Sequence, residues 1–394
     1  MAWIGTKRTL SLLAAIAVAG CGGSSSDGGG GGSNEPIKIG VLMELTGPGS
    51  DYGTRGKAMV QMALDEVGGK VGGHPIKVVY ADTATNPATA VTKARQLVSR
   101  DKVDVIFGPI FSDAQDAIAP YLGQQKIMAM APIGANWTLN KYKNWVVYPG
   151  TLESFCRPGG QALKDAGGKT LATLGADYVA GHQIVDPVGQ VFQTAGGNWM
   201  QKLYAPLGTS DFGSYISSLK NVDAFAAWTI MPDELSLMQS FIKFKGGSGT
   251  DLFLCEAENV TPEQLTGLGS GVLGTKGMIA SYSPDLKNEQ NEKFLAAVQK
   301  RLHRAPRIGD GDSYLLFHIL LDGLKKTSGN AKLDQLRPAI LSSSSDTVAG
   351  PVKWTKNGFA LANRYLATVS KGPDGKYMWK TDKVYEQVRD PRDK

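Results

Sequence analysis

The 394-residue chain has only three cysteines and four histidines, and that scarcity removes several chemistries at once. His74, His182, His303 and His318 stand far apart, and none has a metal-ligating partner at helical spacing, so no metal site is expected. His318, inside "YLLFHILL", reads as a satisfied core histidine. No serine sits in a G-x-S-x-G elbow, so none has the context of a nucleophile. Gly269, Gly271 and Gly274 match G-x-G-x-x-G, but they lead into the strand-like "GMIASY" instead of joining a strand to a helix. With 49 glycines in the chain, coincidence explains the match. Gly168-Lys169-Thr170 ends like a phosphate-binding loop, yet Leu163 stands where its first glycine belongs. Neither an enzyme nor a cofactor is expected. After the first twenty residues no run is long and apolar enough to cross a bilayer as a helix. The formal charge of +6 comes from bases that alternate with acids, which argues against a nucleic-acid surface.

What is present begins at the amino end. Lys7 and Arg8 precede an apolar run from Leu10 to Val18, the pattern of a signal peptide over residues 1–20. It ends in "VAGC", which resembles a bacterial lipobox with Cys21 as the lipidated residue. The other reading is an ordinary secretory signal followed by a chance cysteine. Residues 21–35, "CGGSSSDGGGGGSNE", cannot bury apolar surface and make a flexible tether. The expected location is therefore the periplasm or cell-envelope face of a bacterial membrane, with a lipid anchor holding a soluble body. About 360 residues follow, enough for two domains with real cores. Of the remaining cysteines, Cys156 and Cys255, export permits a disulfide, and two buried free thiols fit as well.

The body alternates strands and helices. "IKIGVL" from Ile37 and "IKVVYADT" from Ile76 are β-rich. Asn86 and Pro87 open a helix whose buried face is Ala90, Val91, Ala94, Leu97 and Val98. Val103–Phe107 and Ile127–Met130 continue the series, and a second begins near Thr170, with strands at Ala224–Trp228 and Leu252–Cys255. Such alternation predicts an α/β fold with parallel sheets covered on both faces, in two lobes. Beyond Gly358, short strands flank a turn at Gly372–Gly375.

"FGPIFSDAQ" places Ser112 between a strand's carboxyl end and a helix. "SDAQ" fits a capping box, with Gln115 returning a hydrogen bond to the cap. The same location suits anion binding, because helix amino ends present unpaired N–H groups.

Taken in order, "LTGPGSDYGTRG", the Asp82–Val91 run, "LVSRDKVDVIFGPIFS", "DYVAG", "SDFGSYISSLK" and "GPVKWTKNG" carry a resemblance across the whole body. The chain resembles the solute-binding proteins of branched-chain amino-acid-type ABC transporters. That resemblance implies a type I periplasmic-binding fold: two Rossmann-like lobes joined by a three-stranded hinge, with the ligand in the interlobe cleft. It implies crossings near Tyr148–Glu153, Ser281 and Thr347. Lobe 1 would be residues 36–150 plus 281–346, and lobe 2 residues 151–280 plus 347–394. The implied ligand contacts in lobe 1 are the lid aromatic Tyr52, then Phe111, the carboxylate-holding Ser112, and Ile133, Gly134 and Ala135. In lobe 2 they are Tyr178, Ala180, Trp228 (with Met231 or Ile230 beyond its strand) and Glu256 or Glu258. Ala135 replaces the family's usual threonine hydroxyl, and Ala180 replaces a tyrosine facing the ammonium. An ammonium needs two or three acceptors, so these losses point to an apolar or aromatic carboxylate as readily as to an amino acid. The implied partners are that small solute and an ABC permease, the protein itself being a monomer. A membrane-tethered sensor or assembly factor on the same fold is the alternative.

Overall fold

The computed structural model describes residues 35–307, 309–342 and 346–393. The expected signal peptide, the tether through residue 34 and Cys21 lie outside the described residues. The first series of strands is β1 Ile37–Met43, β2 Lys70–Val71, β3 His74–Asp82, β4 Val105–Phe107, β5 Met128–Ala131 and β6 Trp145–Val147. Helices α1 Ser50–Glu66, α2 Pro87–Ser99 and α3 Ser112–Gln125 lie between them. Among the described residues they make a six-stranded sheet in the order β2-β3-β1-β4-β5-β6, parallel except where β2 folds back on β3. β4, β5 and β6 are buried along their whole length, as strands covered by helices on both faces must be. At α2 the Asn86 side chain accepts the Thr89 N–H, and Pro87 takes the first turn. Ala90, Ala94 and Leu97 are fully buried, while Val91 and Val98 flank them half-exposed.

The second series comprises α4 Arg157–Asp165, β7 Thr170–Ala176, α5 Val179–Thr194, β8 Asn198–Ala205, α6 Gly213–Ser217, β9 Ala224–Trp228, α7 Asp233–Lys245, β10 Asp251–Cys255, α8 Pro262–Gly267 and β11 Lys276–Ile279. After it come α9 Glu289–Leu302, α10 Asp310–Lys326 and α11 Leu333–Leu341. The chain closes with the short pieces β12 Asp346–Thr347, β13 Gly350–Pro351 and β14 Lys353–Trp354, and with β15 Ala360–Lys371 and β16 Tyr377–Val388. The second sheet runs β14-β15-β11-β10-β9-β7-β8, and β16 pairs with β15. The glycine triplet ending at Gly274 does lead into a strand, β11. The carboxyl-terminal strands are long instead of short, twelve residues each. β15 alternates buried and half-buried positions, the period of a strand with one face on a core.

The chain passes between the sheets three times: after β6, after β11 and before β15. α10 returns to the first sheet's side, where Tyr314 donates to Glu66 on α1 and Arg55 pairs with Asp310 at 2.9 Å. The last passage lies later than Thr347. The Val147 N–H donates to the Gly358 carbonyl, and Phe359 packs with Trp145 and Val147. The short β12–β13 hairpin intervenes, and the Asn288 side chain at the start of α9 donates to the Val348 carbonyl beside it. His318 is also not a core residue: it is half-buried on α10, with Nε2 3.0 Å from Glu66. Its neighbours on the helix carry the apolar face, so the sequence run concealed an amphipathic position.

Arg364 of β15 pins the passages together. It is fully buried and donates to the Pro149 and Ser154 carbonyls and the Ser154 hydroxyl. Burial pushes its guanidinium down to about 10, and the three acceptors offset part of that desolvation. Cys156 and Cys255 are joined by a disulfide, with Cα atoms 5.3 Å apart. The bond ties the start of α4 to the end of β10.

Candidate functional site

The carboxyl ends of both parallel sheets face each other across a cleft, where loops converge and helix amino ends point outward. At its floor is a cavity of about 50 Å³. Tyr52, Ile110, Phe111, Ser112 and Ile133 line it from the first lobe's elements. Leu152 and Phe155 come from the first passage, and Tyr178, Ala180, Ile184, Trp228, Ile230 and Glu256 from the second lobe.

Three expected contacts are not in this wall. Gly134 sits behind it: a side chain there would meet the Phe155 ring at 2.4 Å, and the Gly134 carbonyl accepts from Gln115. Ala135 is fully buried among the residues under the first sheet, its N–H bonded to Gly150. Met231 stands one residue beyond the position that Ile230 fills in the wall, and its backbone N–H faces the Tyr52 hydroxyl. Between the two glutamates the geometry is unambiguous. Glu256 lines the cavity, while Glu258 turns away to accept the Ala280 N–H.

Ser112 is not a cap. Phe111 holds the N-cap position with extended backbone, Ser112 is already helical, and no capping hydrogen bond forms. Gln115 spends its amide on the carbonyls of Pro109, Ile110 and Gly134. The Ser112 hydroxyl is buried and has no hydrogen-bond partner among the described residues. Burial, then Asp116, push the neighbouring Asp113 carboxyl up, and the Ser112 side chain beside it opposes that rise. Such an orphan costs about 1–3 kcal/mol, and a site that waits for a ligand is one place where that is tolerated.

Beneath Ser112, the Glu44 carboxylate at the end of β1 accepts the N–H groups of Ile110 and Phe111. Burial pushes Glu44 up to about 7 despite those bonds. On the opposite wall, Glu256 has left-handed backbone (φ 56°) and accepts the Trp228 indole N–H. Burial raises it, too, to about 7. Ile133 also has left-handed backbone, φ 62°, a conformation that a β-branched residue adopts only under constraint. Its side chain packs toward Gly309, where an added methyl would stand 2.2 Å from Ile133 Cδ1.

An aromatic run crosses the cleft. Tyr52 meets Phe111 edge-on at 6.2 Å, Phe111 stacks on Tyr178 at 6.5 Å and 24°, and Tyr178 lies 6.0 Å from Trp228. The Tyr52 hydroxyl donates to Asn259 Oδ1 at 3.0 Å, from one lobe to the other. The contributions of Ile110, Leu152, Phe155 and Ile184 are not marked in the sequence. Ile184 is one helical turn beyond Ala180, so the period of α5 carried that signal; Leu152 and Phe155 lie in a connection with no regular period.

Two lobes that close on a small, largely apolar cleft define a solute-binding protein. The chain belongs to the periplasmic binding protein family, whose model matches residues 36–375. Membership of that family makes it a binding protein placed outside the cytoplasm, and not an enzyme. It is 24% identical over 367 residues to the Leu/Ile/Val-binding protein homolog 6 of Brucella suis, covering 90% of this chain and 93% of that protein. Its fold matches a solute binding protein from Rhodopseudomonas palustris BisB5 in complex with 3,4-dihydroxy benzoic acid. The TM-score is 0.84 at 24% identity, over 91% of this chain and 99% of the other. A leucine binding protein from Thermotoga maritima matches with TM-score 0.77 at 20% identity, over 89% and 99% of the two chains.

Proposed function

We propose that this protein captures a small carboxylate-bearing solute and delivers it to an ABC permease, held at the membrane by a lipid on Cys21. The lobes in this reading are residues 36–150 with 281–359, and 151–280 with 360–394. The observation that carries it is the buried, unpartnered Ser112 hydroxyl at the amino end of α3, facing a cavity whose other walls are mostly apolar. A carboxylate there accepts from the hydroxyl and from the helix's first N–H groups.

The solute is an aromatic or apolar acid in preference to an amino acid. Glu256 is the one carboxylate in the cavity wall, and it already accepts from Trp228, which leaves too few acceptors to offset an ammonium's desolvation. The Phe111 and Tyr178 rings, 6.5 Å apart and nearly parallel, need little separation to reach the roughly 7 Å that admits a ring between them at carbon–carbon contact. The Rhodopseudomonas protein, with its dihydroxybenzoic acid, supports this choice; the Thermotoga protein supports the amino-acid alternative. The cavity as closed is far below the ~300 Å³ of a ligand-bearing pocket, so the lobes hinge apart to load it.

A thermal-shift and calorimetry series with benzoate, 4-hydroxybenzoate, 3,4-dihydroxybenzoate, L-leucine and the matching amides tests the reading. Aromatic acids should stabilise the protein, by about 2.7 kcal/mol at 100 times Kd, and their amides at the same concentration should stabilise it less. Tight binding of leucine alone would reverse the choice of solute. Binding of none would favour a tethered sensor or assembly factor. Cys21→Ser should abolish lipid labelling; label retained on that variant refutes the anchor.

A further inference from the structure

Asn259 lies behind the cavity wall, yet it is the residue that the other lobe reaches. It sits in the turn after β10, almost fully buried, and its Oδ1 accepts the Tyr52 hydroxyl from α1. Its Nδ2 donates to Glu234 Oε2 at 2.6 Å, at the start of α7, and lies 3.5 Å from the Thr229 carbonyl. Glu234 is completely buried and its second oxygen has no partner among the described residues. Asn259 is therefore held in one amide orientation by Glu234, with its acceptor aimed across the cleft. On the first lobe, Tyr52 is held by the Phe111 edge and by Arg55, whose guanidinium lies 5.3 Å from the ring centre. Arg55 is itself anchored to Asp51 and Asp310.

We propose that Tyr52, Asn259 and Glu234 form an interlobe latch that sets how firmly the cleft stays closed, with Asn259 and Glu234 acting as positioning residues that touch no solute. The hydrogen bond between Tyr52 and Asn259 joins elements of different lobes, 207 residues apart. Hinge opening by more than a fraction of an ångström breaks it, since no bond survives beyond about 3.5 Å. The Tyr52 hydroxyl, which donates to Asn259 and faces the Met231 N–H, serves closure, and only its ring serves the cavity. Glu234 acts one step further back: without it the Asn259 amide is free to rotate, and the acceptor facing Tyr52 is lost for part of the time.

Hydrogen exchange of the ligand-free full chain tests the latch without any assumption about the solute. Tyr52→Phe keeps the ring and removes the donor. Segments 50–56 and 256–262, on opposite lobes, should both exchange about three- to tenfold faster, the range for one lost hydrogen bond. Asn259→Ala should do the same, and adding Tyr52→Phe to it should change little further, because the two act as a unit. Glu234→Gln preserves an acceptor for Asn259 and should fall between wild type and Glu234→Ala. With 3,4-dihydroxybenzoate as probe, the dissociation rate should rise by the same factor in Asn259→Ala while association is unchanged. If the probe fails to bind, the solute proposal fails and the exchange result still decides the latch. Acceleration confined to the mutated segment, or full additivity of the two substitutions, would overturn it.

Discussion

Replacing Ser112 by alanine separates a residue kept for the fold from one kept for a ligand. Were Ser112 an N-cap, the substitution would cost about 1 kcal/mol of stability. In the structure it caps nothing, and its buried hydroxyl is unpartnered. Its removal takes away a desolvated polar group and places a better helix former in the first turn of α3. Ligand-free stability in urea should therefore hold steady or rise by about 1 kcal/mol. Affinity should move the other way. A hydrogen bond to a carboxylate contributes about 1.5–3 kcal/mol, so the best acid ligand should bind roughly 10- to 150-fold more weakly. Its neutral amide should bind worse to wild type, but lose less on the substitution. Four calorimetric affinities, acid and amide against wild type and Ser112→Ala, complete a cycle between the hydroxyl and the ligand's charge. Lowered stability with every affinity unchanged would refute the assignment.

Stability should fall as pH rises from about 4.5 to 7. Burial raises Glu44 and Glu256 to about 7 and Asp312 to about 6, so the folded chain holds protons in that window that the unfolded chain releases. The stabilisation is complete below the unfolded values and gone above the folded ones. Carboxyls held low, such as Asp82 and Asp390, act only at lower pH. Each raised acid contributes up to roughly 3 kcal/mol, and urea midpoints that are flat between pH 5 and 7.5 would contradict this. Joint replacement of Cys156 and Cys255 by alanine should cost about 2–5 kcal/mol, since their bond closes a loop of 99 residues. Alkylation of either cysteine in denaturant without reductant would show the bond absent. Gly309→Ala should lower both stability and affinity, because its left-handed backbone (φ 76°) disfavours a side chain and the new methyl drives Ile133 toward the cavity. An unchanged affinity would show that the wall at Ile133 does not shape the site.

The fold was legible wherever local chemistry and burial agree. Asn86-Pro87 announced a helix start, and the cap it forms is the one expected. The apolar runs at Val105 and Met128 became strands buried on both sides. The "SDAQ" motif misled because a capping box needs its first residue outside the helix. At Phe111 the backbone is still extended, and Gln115 finds three carbonyls from the Gly-Pro turn and the neighbouring loop within reach. A tertiary partner outbid a local one. The placement of Met231 failed by a single position, because strand-end counting cannot tell which of two adjacent apolar side chains faces the cleft.

Asn259 and Arg364 are concealed in the sequence because their partners come from the other lobe or from a passage between lobes, and Glu234 acts through Asn259. Neither "ENV" around Asn259 nor "PDE" around Glu234 carries a pattern that sets it apart from an ordinary loop or helix start. Their meaning lies in the Tyr52 hydroxyl, 207 residues before Asn259. Arg364 is similar, a basic residue in an alternating strand whose complete burial follows from the carbonyls of Pro149 and Ser154 turning toward it. Contacts of this kind form only once both lobes are folded and set against each other. The bond between Tyr52 and Asn259 is one that hinge opening breaks, so closure should be governed by residues whose role the sequence does not show. Cavity contacts such as Ser112 and Glu256 would then determine which solute binds, and the latch how long it stays.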